Sequence, residues 1–143
     1  STYDILYDIM MMGNEHRNEV IMEFVSANSN LSKKDIIVEL LTDKILDRNE
    51  YKSLYAMFLL ECKKNEKYRK LYERLRKDTC ENYKKPAEKL GIDVLKLFES
   101  PEFEVFMNGI ILAIEYLDNG SVLSQKRQLI REFIACFVDK HLI

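Results

Sequence analysis

Glycine and proline are scarce in this chain, with four and two residues in 143. A β fold needs them at its many reversals, so their rarity favours long helices. A basic excess is missing as well. The 22 Lys and Arg stand against 24 Asp and Glu, a net charge of −2. A free-standing nucleic-acid module neutralises phosphates with a clear surplus of cations, so these residues are not expected to contact DNA on their own. Three cysteines, Cys62, Cys80 and Cys136, are odd in number and lack CxxC spacing. That argues against a disulfide framework and for a reducing, cytoplasmic setting. No apolar run approaches the roughly 20 residues that span a bilayer, and STYDILYDIM has neither the basic region nor the apolar core of a signal peptide. No membrane partner is expected. The first residue is Ser1 rather than Met, as expected of a processed or shortened chain.

Hydrophobic residues at 47% and charged residues at 32% suffice for a core and a hydrated surface. The apolar period is close to 3.6 almost throughout, which predicts an all-α, single-domain bundle of six or seven helices. A first segment, Tyr3 to Met12, is expected to end near Gly13, and a second to run from Asn14 to Ala27 before the loop SANSN. Ser32 caps a third helix, with Asp35 in its first turn and Ile36, Ile37, Leu40, Leu41 and Ile45 along one face. Asn49 can cap a fourth, Tyr51 to Lys64. The fifth runs from Glu66 to Leu90, with Pro86 expected to kink it or end it early and Gly91 to follow its end. After the connector IDVLKLFES, Ser100-Pro101-Glu102 signals the start of a sixth helix reaching Leu117. A stop at Asn119-Gly120 precedes a last helix from Val122 to His141.

The last two helices carry more apolar surface than one neighbour can cover. In FEVFMNGIILAIEYL the polar side chains form only a narrow line, whereas an ordinary surface helix needs a single apolar stripe. The sixth helix is either the central helix of a monomeric bundle or, with the last, half of a dimeric four-helix bundle. The isologous arrangement predicts a homodimer through Phe106, Ile110, Ile114, Leu117, Leu129, Phe133 and Phe137, burying on the order of 2,000 Å² or more. Gly109 and Ala113, four apart, allow close helix approach.

The segment LYAMFLLECKKNEKYRKLYERLRKDTCENYKKPAEKLGI resembles the middle of the C-terminal domain of TetR-family transcriptional regulators. There an apolar helix, a short polar break and a long charged helix with a Tyr/Leu stripe follow one another. FMNGIILAIEYLDNG is similar to that family's penultimate helix. The resemblance covers the whole chain, residues 1–99 matching the ligand-pocket helices and 100–143 the dimerisation helices. It implies a ligand-sensing and dimerisation domain of a repressor released by a small, mostly apolar effector. It also implies that DNA is reached only through an upstream helix-turn-helix that these residues do not contain. The alternative is a helical protein-protein interaction module with no internal pocket.

Candidate ligand-binding residues follow from helix order. Tyr51, Tyr55, Phe58 and Cys62 recur at i, i+4, i+7 and i+11, and either line a pocket or pack as core. Tyrosines suit a pocket better than leucines would, because a buried hydroxyl needs a partner that a ligand or water can supply. Tyr83 and Met107 join them, since bundle pockets lie between facing helices. Met10, Met11 and Met12 can also reach the interior. His16 and Glu19 share a helix face, but two ligands do not make a metal site. Cys136 and His141 do not face each other, and P-loop, GxGxxG and HExxH motifs are absent. Neither an enzyme, a metal nor a cofactor is expected. The run KKNEKYRKLYERLRK interleaves acids with its bases and reads as a solvated face.

Overall fold

Six helices begin where a short polar side chain meets the unpaired N–H groups of a first turn. A computed structural model describes residues 1–47, 49–117 and 127–141. Among them lie seven helices and no strand: α1 (Thr2–Ala27), α2 (Lys33–Leu46), α3 (Glu50–Cys62), α4 (Glu66–Lys89), α5 (Val94–Glu99), α6 (Pro101–Tyr116) and α7 (Arg127–His141). The backbone N–H groups of Asp35, Lys52 and Phe103 donate to the side chains of Ser32, Asn49 and Ser100, at 3.1, 2.9 and 3.3 Å. Pro101 occupies the first turn of α6, where its missing N–H costs nothing. Gly91, at φ +69°, closes α4: its N–H donates to the Glu88 carbonyl at 3.1 Å and that of Ile92 to the Ala87 carbonyl at 2.9 Å.

Two local expectations are corrected. Gly13 does not break a helix, because α1 runs through it unbroken. Its role is tertiary. A Cβ built on Gly13 would lie 2.8 Å from both Cβ and Cγ of Tyr51 on α3. Those atoms stand next to the backbone and cannot swing aside as a side-chain tip can. Pro86 does not end α4 early either. Proline removes one backbone N–H, the one that would bond four residues back, and α4 continues through this buried residue, one turn short of its end, to Lys89. The expected stop at Asn119-Gly120 and start at Val122 lie outside the described residues.

The bundle has two main apolar centres. α2 lies along α7 and touches α6, burying Ile36, Ile37, Val38, Leu40 and Ile45 against Phe103, Met107, Ile114, Ile130, Ile134 and Val138. α1 packs on α4 and α3, around Met10, Phe58, Leu71 and Leu75. Full burial of one such aliphatic side chain contributes about 1.5–3 kcal/mol. A smaller cluster, Cys80, Tyr83 and Ala87, continues along α4. All three cysteines are free thiols. No helix of the described residues is long and apolar enough to cross a membrane.

Charge reinforces the α2–α7 seam. Arg127 donates to Glu39 at 2.8 Å and to Asp43 at 2.6 Å, and Arg131 Nε donates to the other oxygen of Glu39. Burial disfavours the ionised Glu39, yet the hydrogen bonds from Arg131 and Arg127 outweigh it and hold its carboxyl below the usual range. A lowered carboxylate pKa contributes stability that is present above the unfolded value and lost as pH falls through the folded one.

Two outcomes follow. Gly13→Ala should destabilise the chain by about 1–3 kcal/mol in urea denaturation through overpacking, although the same change gains about 1 kcal/mol in a free helix; in a Tyr51→Gly background, where both clashing atoms are gone, Gly13→Ala should no longer destabilise. Glu39→Gln should cost about 1–2 kcal/mol at pH 7, and the gap to the parent should shrink as pH is lowered below 4.5, the carboxyl's ordinary value.

Candidate functional site

α1, α3, α4 and α6 do not close completely on one another. They leave a cavity of about 150 Å³, floored by Met10, Leu75, Met107 and Ile111 and reached also by Lys44 of α2 and Phe98 of α5. A volume of this size accepts a benzene-sized molecule. The close approach at Gly13 and Tyr51 forms one side. A second chamber of about 100 Å³ shares the walls Arg17, Lys44, Tyr83, Phe98 and Phe103 and is otherwise apolar.

The polar groups of the larger chamber form two connected chains. Tyr55 donates its hydroxyl proton to Asn108 Oδ1 at 2.7 Å, and Asn108 Nδ2 donates to the Tyr72 hydroxyl at 3.0 Å. Arg76 donates to the same hydroxyl at 3.4 Å and to the Phe98 carbonyl, and pairs with Glu104 at 3.4 Å. On the opposite wall Asn14 Nδ2 donates to Thr79 Oγ1 at 2.6 Å, while the Tyr83 hydroxyl reaches Asn14 Oδ1 at 3.5 Å. Burial pushes the Tyr83 hydroxyl up to about 12 and that of Tyr55 higher still. Both therefore act as neutral donors at neutral pH.

Four cations reach this space from four helices: Arg17, Lys44, Lys52 and Arg76. Arg17 Nη2 donates to the Leu40 carbonyl at 2.9 Å, and Lys52 Nζ donates to the Ile45 carbonyl. Lys44 Nζ stands 5.6 Å from the centre of the Tyr83 ring. Burial, and then the positive field of Arg17, Lys52 and Arg76, lowers the Lys44 ammonium to about 8.

The residues anticipated from sequence divide between this cavity and the core. Tyr51, Tyr55, Tyr83 and Met107 line the larger chamber. Phe58 and Cys62 do not. They pack in the cluster of Met10, Leu71 and Leu75, where Phe58 meets the Tyr68 ring at 5.8 Å and the Cys62 thiol points to the Phe58 carbonyl at 3.3 Å. The four lie on one face, but a rise of 1.5 Å per residue sets Cys62 roughly 16 Å along the axis from Tyr51, past the chamber's end. Met10 lines the cavity, Met11 is half-buried beside it in the core and Met12 is exposed. The exposed His16 stands at the rim, and no group of three His, Cys, Asp or Glu able to hold a metal occurs among the described residues.

No family model, curated protein or solved structure matches this chain. Sequence reading passed over Arg17, Lys44, Lys52 and Arg76, because charged side chains on helices are ordinarily solvated. A signal was present: Met10, Asn14 and Arg17 share one face of α1, and Arg76, Thr79 and Tyr83 one face of α4. The expected division at residue 99 does not bound the cavity, since Phe103, Glu104, Met107, Asn108 and Ile111 of α6 form a wall of it.

The expected dimer face is also redistributed. Ile114 is buried in the core at 7% exposure. Phe106 and Ile110 pack against the core edge, with Phe106 stacked on Phe137 at 5.0 Å. Leu117 and Phe133 are exposed, at 83% and 60%, and so is Leu129. Val105, at 72%, and Tyr116 are exposed on α6, and a Cβ on Gly109 would meet open space.

The lowered Lys44 ammonium is a liability at neutral pH. A lysine whose folded pKa falls below its unfolded value destabilises the fold wherever it must stay charged, and the penalty fades as pH rises from about 8 to 10.5. Lys44→Met should raise the melting temperature at pH 7, by a free energy on the order of 1–3 kcal/mol, and the advantage should narrow steadily as calorimetric scans move from pH 8 to 10.5.

Proposed function

We propose that this chain is the ligand-sensing and dimerisation domain of a TetR-type transcriptional regulator, a repressor released by a small-molecule effector. The observation that supports it best is the partly open cavity, whose polar groups are held in place by hydrogen bonds across α1, α3, α4 and α6. DNA would be read by a helix-turn-helix unit outside these 143 residues.

The second support is the exposure of large apolar side chains on both helices, Val105 and Tyr116 on α6, Leu117 after its end, and Leu129 and Phe133 on α7. Apolar surface drawn from two helices of one protomer can meet its own copy about a two-fold axis, as a four-helix interface. α6 serves both features. Met107 and Asn108 face the cavity, and Gly109 faces outward. A ligand that favours one placement of α6 then favours one arrangement of the dimer, which is the differential affinity that regulation requires.

The alternative, a helical interaction module, places a different protein on the same side chains. Sedimentation separates the two. The sensor should be a homodimer at micromolar concentration, and Phe133→Asp should convert it to a helical monomer with unchanged circular dichroism. A parent chain that sediments as a monomer removes the dimer. In parallel, a small apolar compound that occupies the cavity should stabilise the chain by about 2.7 kcal/mol at a hundredfold excess over its Kd, read as a rise in Tm of several degrees.

A further inference from the structure

We propose that the cavity's ligand is an amphipathic organic anion, a carboxylate held between Lys44 and Arg17 with its apolar body in the second chamber. The inference rests on the sensing reading and sharpens it, from a mostly apolar effector to one with a charged head.

Charge inside the cavity is unbalanced. The groups facing Lys44 are Arg17 and His16 of α1, Lys52 of α3, Arg76 and Tyr83 of α4, Glu104 of α6, and Asp47 at the mouth. Of the two acids, Glu104 is engaged by Arg76 at 3.4 Å, and the exposed Asp47 accepts from Asn49 at 2.9 Å. Lys44 makes no hydrogen bond or ion pair among the described residues; its contact is with the face of the Tyr83 ring. Among the described residues Arg17 Nε is buried with no hydrogen-bond partner, although Nη2 of the same guanidinium is anchored on Leu40. Lys44 is half-buried, and a cation drawn partly out of water without a partner costs free energy that an anion can offset. The two that are least satisfied, Lys44 and Arg17, are shared by both chambers.

The apolar chamber decides the rest of the ligand. Ile21, Ile37, Leu41, Leu90, Ile92 and Leu97 line it. An inorganic anion would satisfy the cations and leave this space unused. An uncharged apolar molecule would fill the space and leave the cations unmatched. A carboxylate on an alkyl or aromatic body does both, with its oxygens facing the Arg17 and Lys44 donors at the junction.

Isothermal titration calorimetry on the full chain at pH 7 tests this with octanoate, octanol, octylamine and acetate. Octanoate should bind at least tenfold more tightly than octanol, octylamine should bind least of the three long compounds, and acetate should bind at least tenfold more weakly than octanoate. Lys44→Met should remain folded by circular dichroism and lose the preference for octanoate while keeping octanol. Octanoate affinity should also fall as pH rises past about 8, where Lys44 gives up its proton. Equal binding of octanol and octanoate, or a preference that survives in Lys44→Met, overturns the anionic head and leaves the sensing cavity standing. Acetate binding as tightly as octanoate overturns the role of the apolar chamber. Failure of octanoate to bind overturns this inference; the sensing reading falls with it only if the parent chain also sediments as a monomer and no uncharged apolar compound stabilises it.

Discussion

The approach of α1 to α3 at Gly13 and Tyr51 sets the geometry on which the cavity depends. A glycine in the middle of a helix costs roughly 1 kcal/mol relative to alanine, so its position needs a return elsewhere. Here the missing Cβ lets the Tyr51 side chain lie directly against the α1 backbone. With α1 held that close, Met10, Asn14 and Arg17 are brought to the same space as Tyr55, Thr79 and Tyr83. A side chain at position 13 would move α1 outward, and the hydrogen bond from Asn14 to Thr79 would lengthen with it. The small residue therefore serves the wall of a chamber rather than the helix that contains it.

Placing four cations around a partly open space is the second constraint, and it works against the fold. Two of them are restrained by backbone carbonyls: Arg17 by Leu40 and Lys52 by Ile45 at the end of α2. A third, Arg76, bridges α4, α5 and α6 through Phe98 and Glu104. These bonds cross between helices, so the cations also act as struts that keep the chamber from collapsing. Among the described residues Lys44 has no such anchor. A half-buried ammonium that ties no two helices together contributes little as architecture, and it stands where an anion in the cavity can reach it.

Much of the fold was legible because its signals are local. Ser32, Asn49 and Ser100-Pro101 mark helix starts that need no knowledge of the rest of the chain, and Gly91 marks an end in the same way. Gly13 was misread for the opposite reason. Its role depends on a residue 38 positions away, and local rules see only a weak helix former. The candidate site was half legible. The tyrosine stripe pointed at the right face of α3, and periodicity could not say how far along that face the chamber extends, so Phe58 and Cys62 were carried along with Tyr51 and Tyr55. The cations were illegible because pattern alone cannot separate a lysine that faces water from one that faces a cavity. Lys44 and Lys70 look alike in the sequence, and only the packing of α1, α4 and α6 tells them apart.

The surplus of apolar surface on α6 is best understood as a division among three environments. Phe103, Met107, Ile111 and Ile114 face inward, Phe106 and Ile110 lean toward α7, and Val105, Gly109 and Tyr116 face away. Successive residues along one turn thus belong to the cavity or core, the seam and the exposed face. A helix divided this way cannot shift for one environment without shifting for the others, because its backbone is stiff over the 16 residues it spans. On the proposed reading, that rigidity is the coupling: contact with a ligand at Phe103, which lines both chambers, is carried two residues to Val105 on the exposed face proposed to meet a second copy. No long pathway of side chains has to be invoked, since a single element with a ligand on one face and a partner on the other is biased by both.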